Sequence, residues 1–345
     1  MRILYGIQGT GNGHLSRSRE VIRALEKEAK VEVLISGGNP ELDVGMKVHH
    51  RLQGLTFAFG TNGGIDLMRT LKKNRVKKFL KETAMFSLNK YDLIISDFEP
   101  VTARAAFQQN RSCIALSNQA SLLFDEVPKA KKSDPVGQYI IKHYAPCSLN
   151  FGYSYRKYND RVYTPVIRPE LCSRVPFNRG HYTVYLPSYS IPKIKKVLGR
   201  LDAIRWEVFS REVDKPINLG KMTVFPLDAA SFEESLLTCE GVVTAAGFGT
   251  TTEALYLGKK LLVIPQKNQY EQACNAKALR QMGVSVLKSL KSKHVELIED
   301  WAERVQPVQM AYLDETEKLK NHLLSVHFNE TDTYAEHLTR DQYLV

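Results

Sequence analysis

The chain has 345 residues, 43% hydrophobic and 25% charged, and 48 Lys and Arg against 37 Asp and Glu leave a net charge of +11. That length suffices for two domains with a core each, and no run of 18 apolar residues offers a membrane span. Five cysteines (Cys113, Cys147, Cys172, Cys239, Cys274) without a CxxC pair or a His cluster support neither a disulfide framework nor a zinc site, and a first strand starting at Arg2 without a signal-peptide pattern points to a cytoplasmic protein.

Arg2 to Gln8 reads as a buried strand running into Gly9-Thr10-Gly11-Asn12-Gly13-His14, and Leu15 to Ala29 carries helical spacing. A dinucleotide fold presents a similar glycine turn, but it wants an acidic residue closing its second strand, and Val31 to Ser36 closes in Ser36-Gly37-Gly38. Residues 48–57 read as a third strand. From Ile65 to Leu88 apolar positions recur at helical intervals, and seven Lys and Arg fall within 69–81. Such a run fits either a solvated helix face or a basic surface for anionic lipid or a polyanion.

Tyr91 to Phe98 is a buried strand ending in Asp97-Phe98-Glu99-Pro100, where open α/β sheets bind ligands. Asp97 and Glu99 can serve as a base, as a partner that orients His14, or as a helix N-cap. No third ligand for a metal is apparent beside them. Ser112 to Gln119 is the next strand and ends in Asn118-Gln119. The proline-rich, aperiodic stretch from Thr164 to Gly180 reads as a linker. The expected division is a first domain over 1–165, a linker over 166–180, a second domain over 181–306 and C-terminal helices over 307–345 that cross back to the first domain. Residues 1–165 hold 25 basic and 15 acidic side chains and residues 166–345 hold 23 and 22, so the basicity lies in the first half.

In the second domain His181 to Leu186 is a strand ending in Pro187-Ser188-Tyr189-Ser190, and Arg205 to Ser210 and Met222 to Leu227 are two more. A further buried strand opens with Gly241-Val242-Val243, breaks at Gly247-Phe248-Gly249 and restarts as a helix at Thr250-Thr251-Thr252-Glu253. Two glycines that let a ligand approach, threonines that cap, and first-turn N–H groups make an anion site fit for a diphosphate. Glu253 in that first turn then suits the two ribose hydroxyls of a nucleotide. After the strand from Lys260 to Pro265, Gln269, Glu271, Gln272 and Asn275 suit sugar hydroxyls.

The run from the glycines through Thr-Thr-Thr-Glu-Ala-Leu, Gly-Lys-Lys and a strand ending in Ile-Pro to Gln-x-Glu-Gln-x-x-Asn-Ala resembles the donor site of GT-B glycosyltransferases, above all the MurG-type N-acetylglucosaminyltransferases and the UDP-glucuronosyltransferase-like families. The resemblance implies two Rossmann-like domains facing across a cleft and transfer of a sugar from a UDP-sugar, inverting and without a metal. It implies donor contacts from Gly11, Gly13, Ser188, Ser190, Leu227 (beside the base), Gly247, Phe248, Gly249, Thr250, Thr251, Glu253, Gln269, Glu271 and Gln272, although Pro187 and Tyr189 depart from the family's glycine-rich turn. It implies acceptor contacts from Asn12, Arg17, Asn118 and Gln119. His14, after the first glycine-rich turn, is then the base, since a neutral imidazole can accept a proton at neutral pH.

With a basic first half, the expected acceptor is anionic: a lipid-linked or cell-envelope saccharide at the inner membrane face, or nucleic acid. The alternatives are a UDP-sugar 2-epimerase-like enzyme, a DNA-modifying glucosyltransferase and a nucleotide-sugar-binding module without catalysis.

Overall fold

The computed structural model describes residues 1–10, 12–38, 45–55, 76–130 and 134–329. The first sheet runs β1 Arg2–Gln8, β2 Lys30–Ser36, β3 His50–Leu52, β4 Leu93–Asp97, β5 Ile114–Ser117, β6 Leu149–Tyr153 and β7 Val162–Tyr163. Its helices are α1 Asn12–Glu26, α2 Val76–Met85, α3 Pro100–Gln108, α4 Asn118–Ser121 and α5 Pro135–His143. After the short α6 Pro169–Cys172, the second sheet is built from β8 His181–Tyr185, β9 Arg205–Ser210, β10 Ile217–Asn218, β11 Met222–Pro226, β12 Gly241–Thr244, β13 Lys260–Val263 and β14 Ser285–Val286. Its helices are α7 Ile191–Leu198, α8 Ala229–Thr238, α9 Phe248–Tyr256, α10 Tyr270–Gln281 and α11 Val295–Arg304, and α12 Thr316–Asn329 follows.

The strand orders are β3-β2-β1-β4-β5-β6-β7 and β10-β11-β9-β8-β12-β13-β14. All pairs are parallel except β10 with β11. Parallel strands covered on both faces read as continuous apolar runs, and β1 and β2 are buried at every position but the first. The order reverses between β1 and β4 and again between β8 and β12, so each sheet has a crevice at the carboxyl end of those strands.

One apolar cluster joins Leu15, Val21 and Leu25 of α1 to Phe248 and Leu255 of α9 and to Leu319 and Leu323 of α12. Helix α12 lies on α1, with Lys27 bound to Glu317 at 2.6 Å and Lys320 to Glu28, while the Tyr163 hydroxyl meets His322 Nδ1 at 2.8 Å. A separate cluster around Trp206 and Trp301 fills the second sheet's other face.

Several elements differ from the sequence expectation. Helix α9 begins at Phe248, because the Phe248 side chain is buried against the ring of Tyr155 at 5.0 Å, which carries the helix back over Gly249. Asn118 and Gln119 open a short helix capped by the Ser117 hydroxyl instead of ending a strand. Residues 305–315 are not helical. Gly11 and the basic residues Arg69, Lys72, Lys73 and Arg75 lie outside the described residues, as does the side chain of Asn12; of the proposed third strand only His50–Leu52 forms among those described.

Candidate active site

The crevice of the first sheet is where β1 hands over to α1 beside the end of β4, with Ile7 opposite Asp97. His14, third in α1, places Nδ1 2.7 Å from Asp97 Oδ1. The Asp97 carboxylate is fully buried; it also accepts from Arg17 at 3.1 Å on each oxygen and from the Ser18 hydroxyl at 2.9 Å. Burial pushes the Asp97 carboxyl up, but Arg17, His14 and Ser18 outweigh it and hold it below the usual carboxylate range. Arg17, expected at the acceptor, is instead buried as the counter-ion of Asp97, its guanidinium 4.9 Å above the Tyr153 ring.

A carboxylate facing Nδ1 assigns the imidazole proton to that nitrogen and leaves Nε2 with its lone pair. The Gln119 amide nitrogen, 3.4 Å from His14 Nε2, agrees with that tautomer. The same amide donates to Glu271 Oε2 at 2.8 Å, and Asn118 Nδ2 donates to Glu271 Oε1 at 2.8 Å. Glu271 of the second half is thus clasped from the first, and Gln119 Oε1 is buried without a partner among the described residues.

The expectation of Glu99 as a base is corrected. Its carboxylate is fully buried and caps α3, accepting from Val101 N and Thr102 N at 2.7 Å each and from the Ser36 hydroxyl. Between these two carboxylates Phe98 is held at φ 53°, a strained conformation for an aromatic residue, with its ring 4.9 Å from that of Tyr144.

In the second sheet's crevice, β12 turns at Ala245-Ala246-Gly247 into α9, whose N-cap is Gly247 without a side-chain cap. The threonines do not cap: Thr251 Oγ1 donates back to the Gly247 carbonyl at 2.7 Å and Thr252 Oγ1 to that of Gly249 at 2.8 Å, a habit of hydroxyls inside helices. Thr251 also shares a 2.7 Å bond with the Tyr155 hydroxyl, while Thr250 is half-buried. A Cβ at Gly13 or Gly247 would meet nothing within 4 Å, and one at Gly249 would lie 3.8 Å from Gly13 Cα. The turns at Gly13 and Gly249 therefore face each other at van der Waals distance, and the Cβ sides of Gly13 and Gly247 stay open beside two helix N-termini.

Because α9 starts early, Glu253 stands in its second turn, where Arg168 donates from Nε to Oε1 at 2.8 Å. Gln269 is the N-cap of α10, with Oε1 buried and without a partner among the described residues. Gln272 Oε1 accepts from Gln266 N at 2.9 Å and Asn275 Nδ2 donates to Ala246 O at 2.9 Å, so both shape the walls. Ser188 is half-buried, Ser190 exposed and Leu227 half-buried, and these three make no side-chain hydrogen bond to the other site residues. Tyr155 and Arg168 were missed, since nothing in their sequence neighbourhood points to residues 96 and 85 positions away.

Among the described residues no three His, Cys, Asp or Glu side chains gather as a metal site, and no helix is long and apolar enough to cross a membrane.

A family model described as "Glycosyl transferase family 1" matches residues 1–306. No curated protein matches. Among solved structures, UGT89C1 of Arabidopsis thaliana complexed with quercetin is 14% identical, over 97% of this chain and 95% of that one, with a TM-score of 0.57. A UDP-glucosyltransferase from Polygonum tinctorium capable of glucosylating indoxyl gives 16%, 97%, 95% and 0.54, and the glycosyltransferase SnogD from Streptomyces nogalater gives 12%, 94%, 99% and 0.51. These likenesses show the GT-B fold.

Proposed function

Since this chain belongs to glycosyl transferase family 1 and is a glycosyltransferase that takes its sugar from a nucleotide-sugar, we propose that the donor is a UDP-sugar and that transfer to an acceptor hydroxyl inverts the anomeric centre. The observation that carries this is the His14–Asp97 pair at 2.7 Å, set at the first sheet's crevice beside the turn that faces Gly249. His14 Nε2 takes the acceptor proton as the acceptor oxygen attacks C1, and the bond from C1 to the diphosphate oxygen breaks on the opposite face. The charge left on the diphosphate meets the N–H groups of α9 at Gly247 to Gly249, so that no metal is called for. Glu271, Gln269 and Gln119 offer acceptor oxygens to sugar hydroxyls. The run from Thr250 to Asn275 favours a MurG-like donor pocket, with Ser188, Ser190 and Leu227 beside the nucleotide.

Glu253 is assigned to the ribose. A carboxylate accepting hydroxyl bonds contributes on the order of 1.5–3 kcal/mol, so Glu253→Ala is expected to weaken UDP binding roughly 10- to 100-fold by calorimetry. Unchanged affinity in a folded variant removes Glu253 from the site.

The acceptor is proposed to be anionic and held at the cytoplasmic membrane face, a lipid-linked or cell-envelope saccharide. Support comes from the charge of the first half and from α2, which exposes Val76, Leu80 and Met85 beside Lys77, Lys78 and Lys81. Binding to vesicles containing anionic lipid is expected to fall as salt rises and to vanish in the triple Lys→Glu variant of α2. Binding to neutral vesicles just as well removes the electrostatic contact, and a preference for DNA over vesicles points to nucleic acid.

A further inference from the structure

Arg168 stands in the segment between the sheets, one residue before α6, and its side chain is 19% exposed. Nε donates to Glu253 Oε1 at 2.8 Å and NH1 to Glu233 Oε2 at 3.1 Å, a fork holding one carboxylate of α9 and one of α8. Glu253 Oε2 has no protein partner among the described residues, and its side chain is 13% exposed. The arrangement fixes one carboxylate oxygen and leaves the other without a bond among the described residues.

We infer that Arg168 is a positioning residue for the donor's ribose: it fixes Glu253 by Oε1 and leaves Oε2 to accept from the ribose hydroxyls, so that selection of a ribonucleotide over a 2'-deoxyribonucleotide is set from the inter-sheet segment. This rests on the assignment of Glu253 to the ribose. A carboxylate accepts from hydroxyls well only when ionised, and the groups facing Glu253 divide sharply. Burial pushes the Glu253 carboxyl up, Arg168 pulls it down, and Glu233 and Glu170 push it further up. Glu170 is itself held by Arg19 at 2.6 Å, which leaves Arg168 as the cation on Glu253. A planar fork can grip two carboxylates at once, whereas a lysine ammonium is a point charge.

The test is calorimetry of the full chain with UDP and with 2'-deoxy-UDP. Wild type is expected to prefer UDP by roughly tenfold or more, the fold-change of a hydroxyl bond to a charged group. Arg168→Met is expected to lose most of that preference, Arg168→Lys to keep an intermediate one, and Glu233→Gln to keep it. In Arg168→Met the affinity for UDP should also recover as pH rises, because Glu253, without the guanidinium bonded to it, ionises at higher pH than in wild type. A purely structural role would not produce that profile. Should Glu253→Gln lose the preference while Arg168→Met keeps it, the ribose assignment stands and the role of Arg168 is overturned. Should Glu253→Gln keep it, the ribose assignment itself falls, and Arg168 with it. If Arg168→Met does not fold, Arg168→Lys decides, and a preference equal to wild type overturns the inference.

Discussion

Replacing His14 by Ala should lower kcat by roughly 10²–10⁴ while leaving the affinity for UDP nearly unchanged, the signature of a group that acts in the transition state and not in nucleotide binding. His14 Nδ1 is tied to a fully buried Asp97, so the ring is held in one tautomer with Nε2 available. Asp97 cannot reach an acceptor through that burial, and Asp97→Asn should act on rate only through the imidazole it orients, presenting an amide N–H to Nδ1 and favouring the wrong tautomer. It should also lower stability, which His14→Ala should not, because Arg17 then keeps a buried charge without its counter-ion. The Asp97 carboxyl is depressed in the folded state, so its contribution to stability is complete above the ordinary carboxylate range and fades as pH falls through the depressed value. Asp97→Asn should remove that acid-side dependence in thermal unfolding followed against pH. A His14→Ala enzyme turning over at the wild-type rate, beside an inactive Asp97→Asn enzyme, reverses the assignment.

The second large effect is expected at Lys259, which makes no ion pair among the described residues. Its ammonium, on a residue 6% exposed, donates to the carbonyls of Phe177 at 3.1 Å, Leu237 at 2.8 Å and Cys239 at 2.7 Å. Two of these carbonyls belong to the C-terminal end of α8, where the helix dipole favours a cation. Burial still pushes the Lys259 ammonium below its ordinary range. Lys259→Met keeps the apolar stem but leaves three carbonyls short of a donor, a loss on the order of 3 kcal/mol. For a domain of this size that corresponds to a Tm lower by about 6–12 °C. A melting curve superimposable on wild type means water takes the lysine's place without loss.

How much of this was legible in the sequence depends on how far apart the partners lie. β1 and β2 stand where their apolar runs placed them, since a strand buried on both faces announces itself within seven residues. The two sheets with reversed strand order agree with the two Rossmann-like domains that the resemblance to GT-B glycosyltransferases implies. What escaped was set by contacts across the cleft. Phe248 starts α9 early because Tyr155 covers it, and Thr251 turns inward to the same tyrosine. For Glu99 the sequence left base, orienting partner and helix N-cap open, and the path of α3 selects the cap. The Arg168 fork joins residues 85 positions apart through an aperiodic segment, so no local pattern could have flagged it. β6 and β7 are short strands at a sheet edge whose polar and aromatic residues give no clean alternation.

The seat of α12 on α1 reaches back to how the molecule is made. Leu319 and Leu323 complete an apolar cluster whose other members include Leu15 and Leu25, so α1 is made long before the helix that covers it. At translation rates of about 5–20 residues per second, the roughly 150 residues between β7 and α12 take on the order of ten to thirty seconds to emerge. Through that interval the apolar side chains of α1 that pack on α12 in the folded molecule remain uncovered in the nascent first half.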